Sequence, residues 1–222
     1  MAGRVKKGYK GIGMDGPIAR WYAKNTRKNI KDYQKDAKKV AANVSEGAAI
    51  LELAPGPGYL SIELAKLGNY KVTGLDISKS FVEMAREKAK EEGVEVDFRQ
   101  GDAARMPFED ETFDFIICRA AFKNFAQPIT ALDEMNRVLK TGGKALILDL
   151  RGDVSAEAMD KHVEEELGLT GFDAILTKWI FKTMLIKRAY TKDAFRELVS
   201  KSSFKTGKIL EDTIGLEVWL EK

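Results

Sequence analysis

Between residues 48 and 150 short apolar runs alternate with amphipathic stretches, and that alternation leaves few folds open. Ala48–Leu53, Lys71–Leu75, Val94–Phe98, Phe113–Cys118 and Lys144–Leu150 read as strands, the first of them a short, mainly apolar run as a buried parallel strand should be. Leu60–Leu67 reads as a helix. A second opens at the capping box Ser80-Phe81-Val82-Glu83 and stops at Gly93. A third runs from Pro128 to Lys140, with Ile129, Leu132, Met135, Val138 and Leu139 on one face, and ends at Gly142-Gly143. Strands spaced by helices of this length mean βαβ units and a parallel sheet covered on both faces, with right-handed crossovers. Beyond it, residues 151–190 read as a mainly helical insert, and a helix capped by Thr191 runs to about Ser202. Lys205–Leu210 and Leu216–Leu220, joined by a turn at Asp212–Gly215, form a closing antiparallel hairpin. Ahead of the sheet, a turn-rich stretch from Gly8 to Pro17 leads into an amphipathic helical region over 17–44.

Composition narrows the chemistry. With 44% hydrophobic and 32% charged residues in 222, the chain supports a sizeable core and is not disordered as a whole. Cys118 and His162 each stand alone, so a disulfide framework, a four-cysteine zinc site and a Cys/His cluster are excluded, and no metal is expected. No apolar run approaches about 20 residues, so no membrane insertion is expected. The basic N-terminal stretch lacks the apolar centre of a secretory signal, and the expected compartment is the cytoplasm. Charge is uneven: residues 1–40 carry 12 Lys/Arg and 3 Asp/Glu, while the remaining 182 are net acidic. Such a basic arm suits an anionic substrate, a nucleic acid or a membrane surface, or is simply solvated.

Chemistry concentrates in Ile50-Leu51-Glu52-Leu53-Ala54-Pro55-Gly56-Pro57-Gly58-Tyr59, where a buried strand turns into a helix. Glycines there let the backbone approach a ligand, and a helix N-terminus offers N–H groups. Asp76 ends the second strand, where a carboxylate can accept from both ribose hydroxyls. Nicotinamide dinucleotides and S-adenosylmethionine share this geometry. A dinucleotide fingerprint would need a third glycine at Ser61. Glu52 at the head of the loop would repel a pyrophosphate and suits a ligand carrying an ammonium group.

In these residues the sequence resembles the class I S-adenosylmethionine-dependent methyltransferases. Glu52-Leu53-Ala54-Pro55-Gly56-Pro57-Gly58 is similar to their first motif, with Ala54 in place of its first glycine, and Asp76 to their ribose-binding acid. Gly101-Asp102-Ala103 resembles the adenine-edge motif. Met106-Pro107-Phe108 with Phe113–Cys118 resembles the fourth-strand motif, and Val138-Leu139-Lys140-Thr141-Gly142-Gly143-Lys144 the turn before the fifth strand. The resemblance spans roughly residues 45–150 and is strongest to the small-molecule branch of ubiquinone/menaquinone biosynthesis. It implies a Rossmann-like three-layer α/β sandwich: a mostly parallel seven-stranded sheet with a closing antiparallel hairpin, an N-terminal helical lid and a helical insert after the fifth strand. The division expected is a basic arm with lid helices over 1–44 and a methyltransferase domain over 45–222, its cap near 151–190.

The resemblance also implies S-adenosylmethionine as cofactor. Its contacts are expected from Tyr22, Glu52, Ala54, Pro55, Gly56, Gly58, Tyr59, Leu60, Asp76, Ile77, Ser78, Gly101, Asp102, Ala103, Arg119, Ala120 and Phe125. Reaction is then in-line displacement at a sulfonium methyl, with the protein positioning and desolvating. No catalytic residue stands out. Arg119 suits a methionine carboxylate or an anionic substrate, and Tyr22 a lid contact to the cofactor. His162 and Tyr190 are further candidates, and Asp149 and Arg151 either orient substrate or pair with each other. The Asp/Asn-Pro-Pro-Tyr/Phe signature of nucleic-acid amino methylation is absent after the fourth strand, so a small-molecule acceptor is expected over nucleic acid. Apolar residues of the insert suggest an apolar pocket or a homodimer face. An RNA methyltransferase using the basic arm and a non-catalytic cofactor-binding subunit are the alternatives.

Overall fold

The computed structural model describes residues 8–10, 13–26, 30–166 and 185–222. Seven strands form one sheet: β1 (Ala49–Leu53), β2 (Lys71–Asp76), β3 (Asp97–Gln100), β4 (Phe113–Arg119), β5 (Leu139–Leu150), β6 (Lys208–Glu211) and β7 (Gly215–Glu221), in the order β3-β2-β1-β4-β5-β7-β6. The first five pair in parallel, and β7 runs antiparallel to both β5 and β6. Order reverses between β1 and β4, so the crevice at their carboxyl ends is the topological switch point where such sheets take ligands.

The helices are α1 (Gly16–Thr26), α2 (Ile30–Ala41), α3 (Tyr59–Leu67), α4 (Lys79–Glu91), α5 (Pro128–Val138), α6 (Ala156–Lys161) and α7 (Lys192–Lys201). α6 runs on as a wider turn over His162–Glu166. α2, α3, α4, α5 and α7 cover the sheet through their apolar faces. Ala131, Leu132, Met135 and Val138 of α5 and Phe195 and Val199 of α7 pack with Leu53, Ile116, Cys118 and Ile147 on one side. On the other, Tyr33, Ala37 and Val40 of α2 join Leu60 and Leu64 of α3 over Ile50, Phe115 and Ile117. α2 thus shares the core of the sheet domain although it precedes residue 45. No helix among the described residues is long and apolar enough to cross a membrane.

Several boundaries differ from the sequence reading. The cap of α4 is Ser78, whose hydroxyl accepts from the Phe81 N–H, so the helix starts before Ser80. α5 ends at Val138, because Leu139 turns extended to pair with Phe113 at the start of β5. Gly142 and Gly143 therefore lie in an irregular stretch of strand and not at a helix cap. β3 begins at Asp97, later than expected, since the Val94 N–H is still tied to the Ala89 carbonyl beyond α4. Thr191 caps α7 as expected, accepting from the Ala194 N–H. The apolar run of the insert from Leu167 to Met184 lies outside the described residues.

Candidate functional site

The residues that follow the carboxyl ends of β1 and β4 are both held at positive φ: Ala54 at 54° and Ala120 at 57°. For alanine that conformation costs about 1–2 kcal/mol, and such strain gathers at functional sites. Between Ala54 and α3 the chain makes a tight turn. Gly56 and Gly58 also take positive φ, but for different reasons. A Cβ on Gly58 would come within 2.7 Å of the Phe98 ring and 2.9 Å of Ala85, so this glycine lets the turn seat on β3 and α4. A Cβ on Gly56 would meet only Tyr22, at 3.9 Å, so the space above it is an open cradle roofed by the lid.

Asp76 ties this turn to the end of β2. One carboxylate oxygen accepts from the Gly56 N–H at 2.9 Å and the other from the Ser78 N–H at 2.8 Å. Each oxygen keeps a second lone pair for a ligand hydroxyl. Burial pushes its pKa up to about 6 against the pull of those N–H groups, and nearby Asp15 adds to the rise. Next to it Ile77 is 41% exposed, an aliphatic side chain at the mouth of the crevice.

Glu52 stands beneath the turn, not in it. It is 3% exposed and accepts from the Ser61 hydroxyl and amide in the first turn of α3, where the helix dipole favours a carboxylate. Burial still raises its pKa to about 7. Its bonds to Ser61 fasten the first turn of α3 to the end of β1. Tyr59 and Leu60 likewise turn into the core, and the Tyr59 hydroxyl donates to the Ala23 carbonyl of α1. Helix geometry forces this, because the first turn of α3 must bury one face on β1. What these two offer a ligand is backbone.

The lid is held by polar contacts that the sequence did not announce. Asp15 accepts from the Ser78 hydroxyl at 2.7 Å and the Ser80 N–H, and the Gly16 N–H donates to the Ser80 hydroxyl. Tyr22 then lies edge-on to Phe81 and beside Gly56. Ahead of it, Gly8–Lys10 forms a short strap that bends on either side of one bridging residue. Tyr9 pairs antiparallel with Phe125, the Lys10 N–H donates to the Asn124 carbonyl, and the Ala126 N–H donates to that of Gly8. The strap passes close over Asp102, whose carboxylate crowds Gly8 and also accepts from the Ala104 N–H. Phe125 and Ala103 pack into or against the core behind this contact, and Gly101 gives room to Leu75.

Arg119 ends β4 with its Nε donating to Asp36 of α2 at 2.6 Å and its guanidinium 4.4 Å from the centre of the Tyr33 ring. Its charge still reaches Glu52 and Tyr22, lowering the pKa of each against burial. Asp149 and Arg151 do not pair with each other. β5 ends at Leu150, so Arg151 leaves the alternation of the strand and turns out to Asp153 and Glu211, while Asp149 stays buried. Asp149 instead meets Lys123 at 2.6 Å, with side chains only 4% and 5% exposed, and also accepts from the Lys123 and Leu150 N–H groups. Beside this pair the Asn124 Oδ1 is buried without a partner among the described residues. Tyr190 packs on Phe122 and Phe195, and its hydroxyl accepts from Lys10 of the strap at 3.0 Å. His162 follows α6, whose Met159 and neighbouring Val163 pack with Leu150, Val154, Ile186 and Ile214. That places it beyond the end of β5. A surface groove of about 580 Å³, lined by Asn43, Lys144, Lys208 and Trp219, lies at the opposite sheet edge and has no part in this site.

Residues 51–147 match the family model described as a methyltransferase domain. The demethylmenaquinone methyltransferase of Deinococcus radiodurans is 36% identical over 101 residues, 45% of this chain and 42% of that protein. The ubiquinone/menaquinone biosynthesis C-methyltransferase UbiE of Escherichia coli O1:K1 is 29% identical over 186 residues, 79% of this chain and 73% of that one. Among solved structures, a Methanococcus maripaludis chain classed as an S-adenosyl-L-methionine-dependent methyltransferase superposes with a TM-score of 0.75 at 20% identity, covering 96% of this chain and 95% of that one. Over residues 51–147 this chain is similar to methyltransferase domains, and it shares the fold of S-adenosylmethionine-dependent methyltransferases. Its matches in sequence point to the ubiquinone/menaquinone branch. It spans less than half the length of the demethylmenaquinone methyltransferase it matches.

The residues present fit S-adenosylmethionine. The open space over Gly56, the two spare acceptor positions of Asp76 and the exposed Ile77 side chain offer, in that order, room for backbone contact, a ribose and an adenine face.

Proposed function

We propose that this protein transfers the methyl group of S-adenosylmethionine to a small, ring-bearing acceptor of quinone type. The observation that carries the reading is the Gly56 cradle, closed above by Tyr22 and beside by Asp76 at the sheet's switch point. When bound, the cofactor supplies an electrophilic methyl on a sulfonium that becomes neutral as the methyl leaves. Asp76 and the backbone of the 54–58 turn would hold it. Arg119 keeps its charge neutralised by Asp36, so no bare cation opposes a sulfonium nearby. Tyr9, Tyr22 and the strap exclude water from the crevice. On the acceptor side, the Lys123–Asp149 pair fixes the segment after β4, and Asn124 Oδ1 accepts a hydrogen bond from an acceptor hydroxyl. The half-buried Tyr190 ring, backed in the core by Phe122 and Phe195, gives an aromatic surface against which a quinol stacks.

The names of the relatives support the quinone class. The test incubates the chain with methyl-labelled S-adenosylmethionine and a short-chain demethylnaphthoquinol. Label is expected in the ring. Cofactor binding without transfer to naphthoquinol or benzoquinol would refute the acceptor class and leave the cofactor site standing.

A further inference from the structure

The outer face of α1 combines features that its fold does not use. Ala19 is fully buried, and Tyr22, Ala23 and Thr26 face the body. On the opposite arc Trp21 is 59% exposed and Ile18 43%, three residues apart and so adjacent on the helix surface, with exposed Pro17 beside them. Arg20 and Lys24 form the neighbouring arc. On α2, Lys31, Lys35 and Lys38 recur at four and three residues, a single exposed stripe. None of these five cations makes an ion pair among the described residues, whereas Lys39 and Arg119 are committed to Glu217 and Asp36. Fold stability thus accounts for neither the exposed Trp–Ile pair nor the unpaired charge around it.

We propose that this face is a peripheral docking surface for an anionic lipid bilayer. A helix with a Trp and an aliphatic residue beside a basic arc lies in the plane of the headgroups, its apolar arc at the acyl boundary and its cations among lipid phosphates. Charge complementarity favours that occupant: residues 1–40 carry 12 Lys/Arg against 3 Asp/Glu, on a body that is otherwise net acidic. An RNA would use the cations, but Ile18 has no ring to stack on a base, whereas an acyl boundary takes both Ile18 and Trp21. The same helix carries Tyr22 on its inner face, so docking sets the roof of the cofactor cradle against the membrane. The inference stands apart from the acceptor reading and survives its failure.

The test is sedimentation of the full chain, without cofactor, with vesicles of phosphatidylcholine alone or with about 30 mol% phosphatidylglycerol. Binding is expected only with the anionic lipid, with a blue shift of Trp emission and loss at high salt. The I18S/W21A variant, whose changes touch no core contact, is expected to unfold at the wild-type urea midpoint and to lose binding about tenfold. Replacing Lys31, Lys35 and Lys38 with Gln is expected to weaken it comparably. Equal binding of I18S/W21A and wild type, binding to neutral vesicles alone, or binding to transfer RNA with none to anionic vesicles would each overturn the proposal.

Discussion

Two glycines of one turn should respond to the same substitution in opposite ways. Gly58→Ala places a Cβ 2.7 Å from the Phe98 ring and 2.9 Å from Ala85, at φ 81°. Left-handed backbone costs an alanine about 1–2 kcal/mol, and overpacking a tight core costs about 1–3 kcal/mol more. The lower entropy of the unfolded alanine chain offsets about 0.4–1 kcal/mol, leaving a net loss of about 2–4 kcal/mol. Gly56→Ala meets only Tyr22 at 3.9 Å, so its loss is the backbone share alone, about 1 kcal/mol. Yet its methyl stands where the cofactor must approach, and S-adenosylmethionine should no longer raise the melting temperature of this variant. Urea unfolding with and without cofactor reads both effects. Equal stability losses at the two positions, or undiminished cofactor stabilisation in Gly56→Ala, would refute the division of labour.

Other consequences follow from buried charge and strain. Glu52 has a folded pKa of about 7 against an ordinary 4.5, so the native state holds a proton that the unfolded state has released between those values. Wild type should therefore lose stability relative to Glu52→Gln as pH rises from 4 to 8, by up to about 3 kcal/mol, measured by urea unfolding across that range. Asp76 must be ionised to accept from ribose, and its pKa is about 6. Cofactor affinity should fall about tenfold per unit below that pH, and a flat titration profile from pH 5 to 7 would exclude this role. Lys123→Met strands the Asp149 carboxylate with only its backbone donors and should cost about 3 kcal/mol, most of it recovered by adding Asp149→Asn. Ala54→Gly relieves a φ of 54°, so the unfolding midpoint should stay level or rise despite the added glycine.

The sheet was legible because its strands are apolar runs separated by helices with one apolar stripe, a pattern set by local periodicity. The turn from Ala54 to Gly58 and Asp76 were legible too, because glycine and a strand-end carboxylate leave marks in sequence. The lid contacts were not. Asp15 meets Ser78 across 63 positions and Lys10 meets Tyr190 across 180, and no periodicity links such pairs. The Lys123–Asp149 pair was missed for a related reason: on a strand, Asp149 and Arg151 look like neighbours, while the nearer partner comes from the segment after β4. The tie from Ser61 to Glu52 was not legible either, because a carboxylate leading a glycine turn does not announce a partner nine residues on in α3.

The most direct test is calorimetric titration of the chain and of Asp76→Ala with S-adenosylmethionine at pH 7.5. One saturable site in the wild type, absent from a variant that still folds, is the expected result. A folded wild-type chain that takes up no cofactor, with or without a quinol acceptor present, would contradict the account.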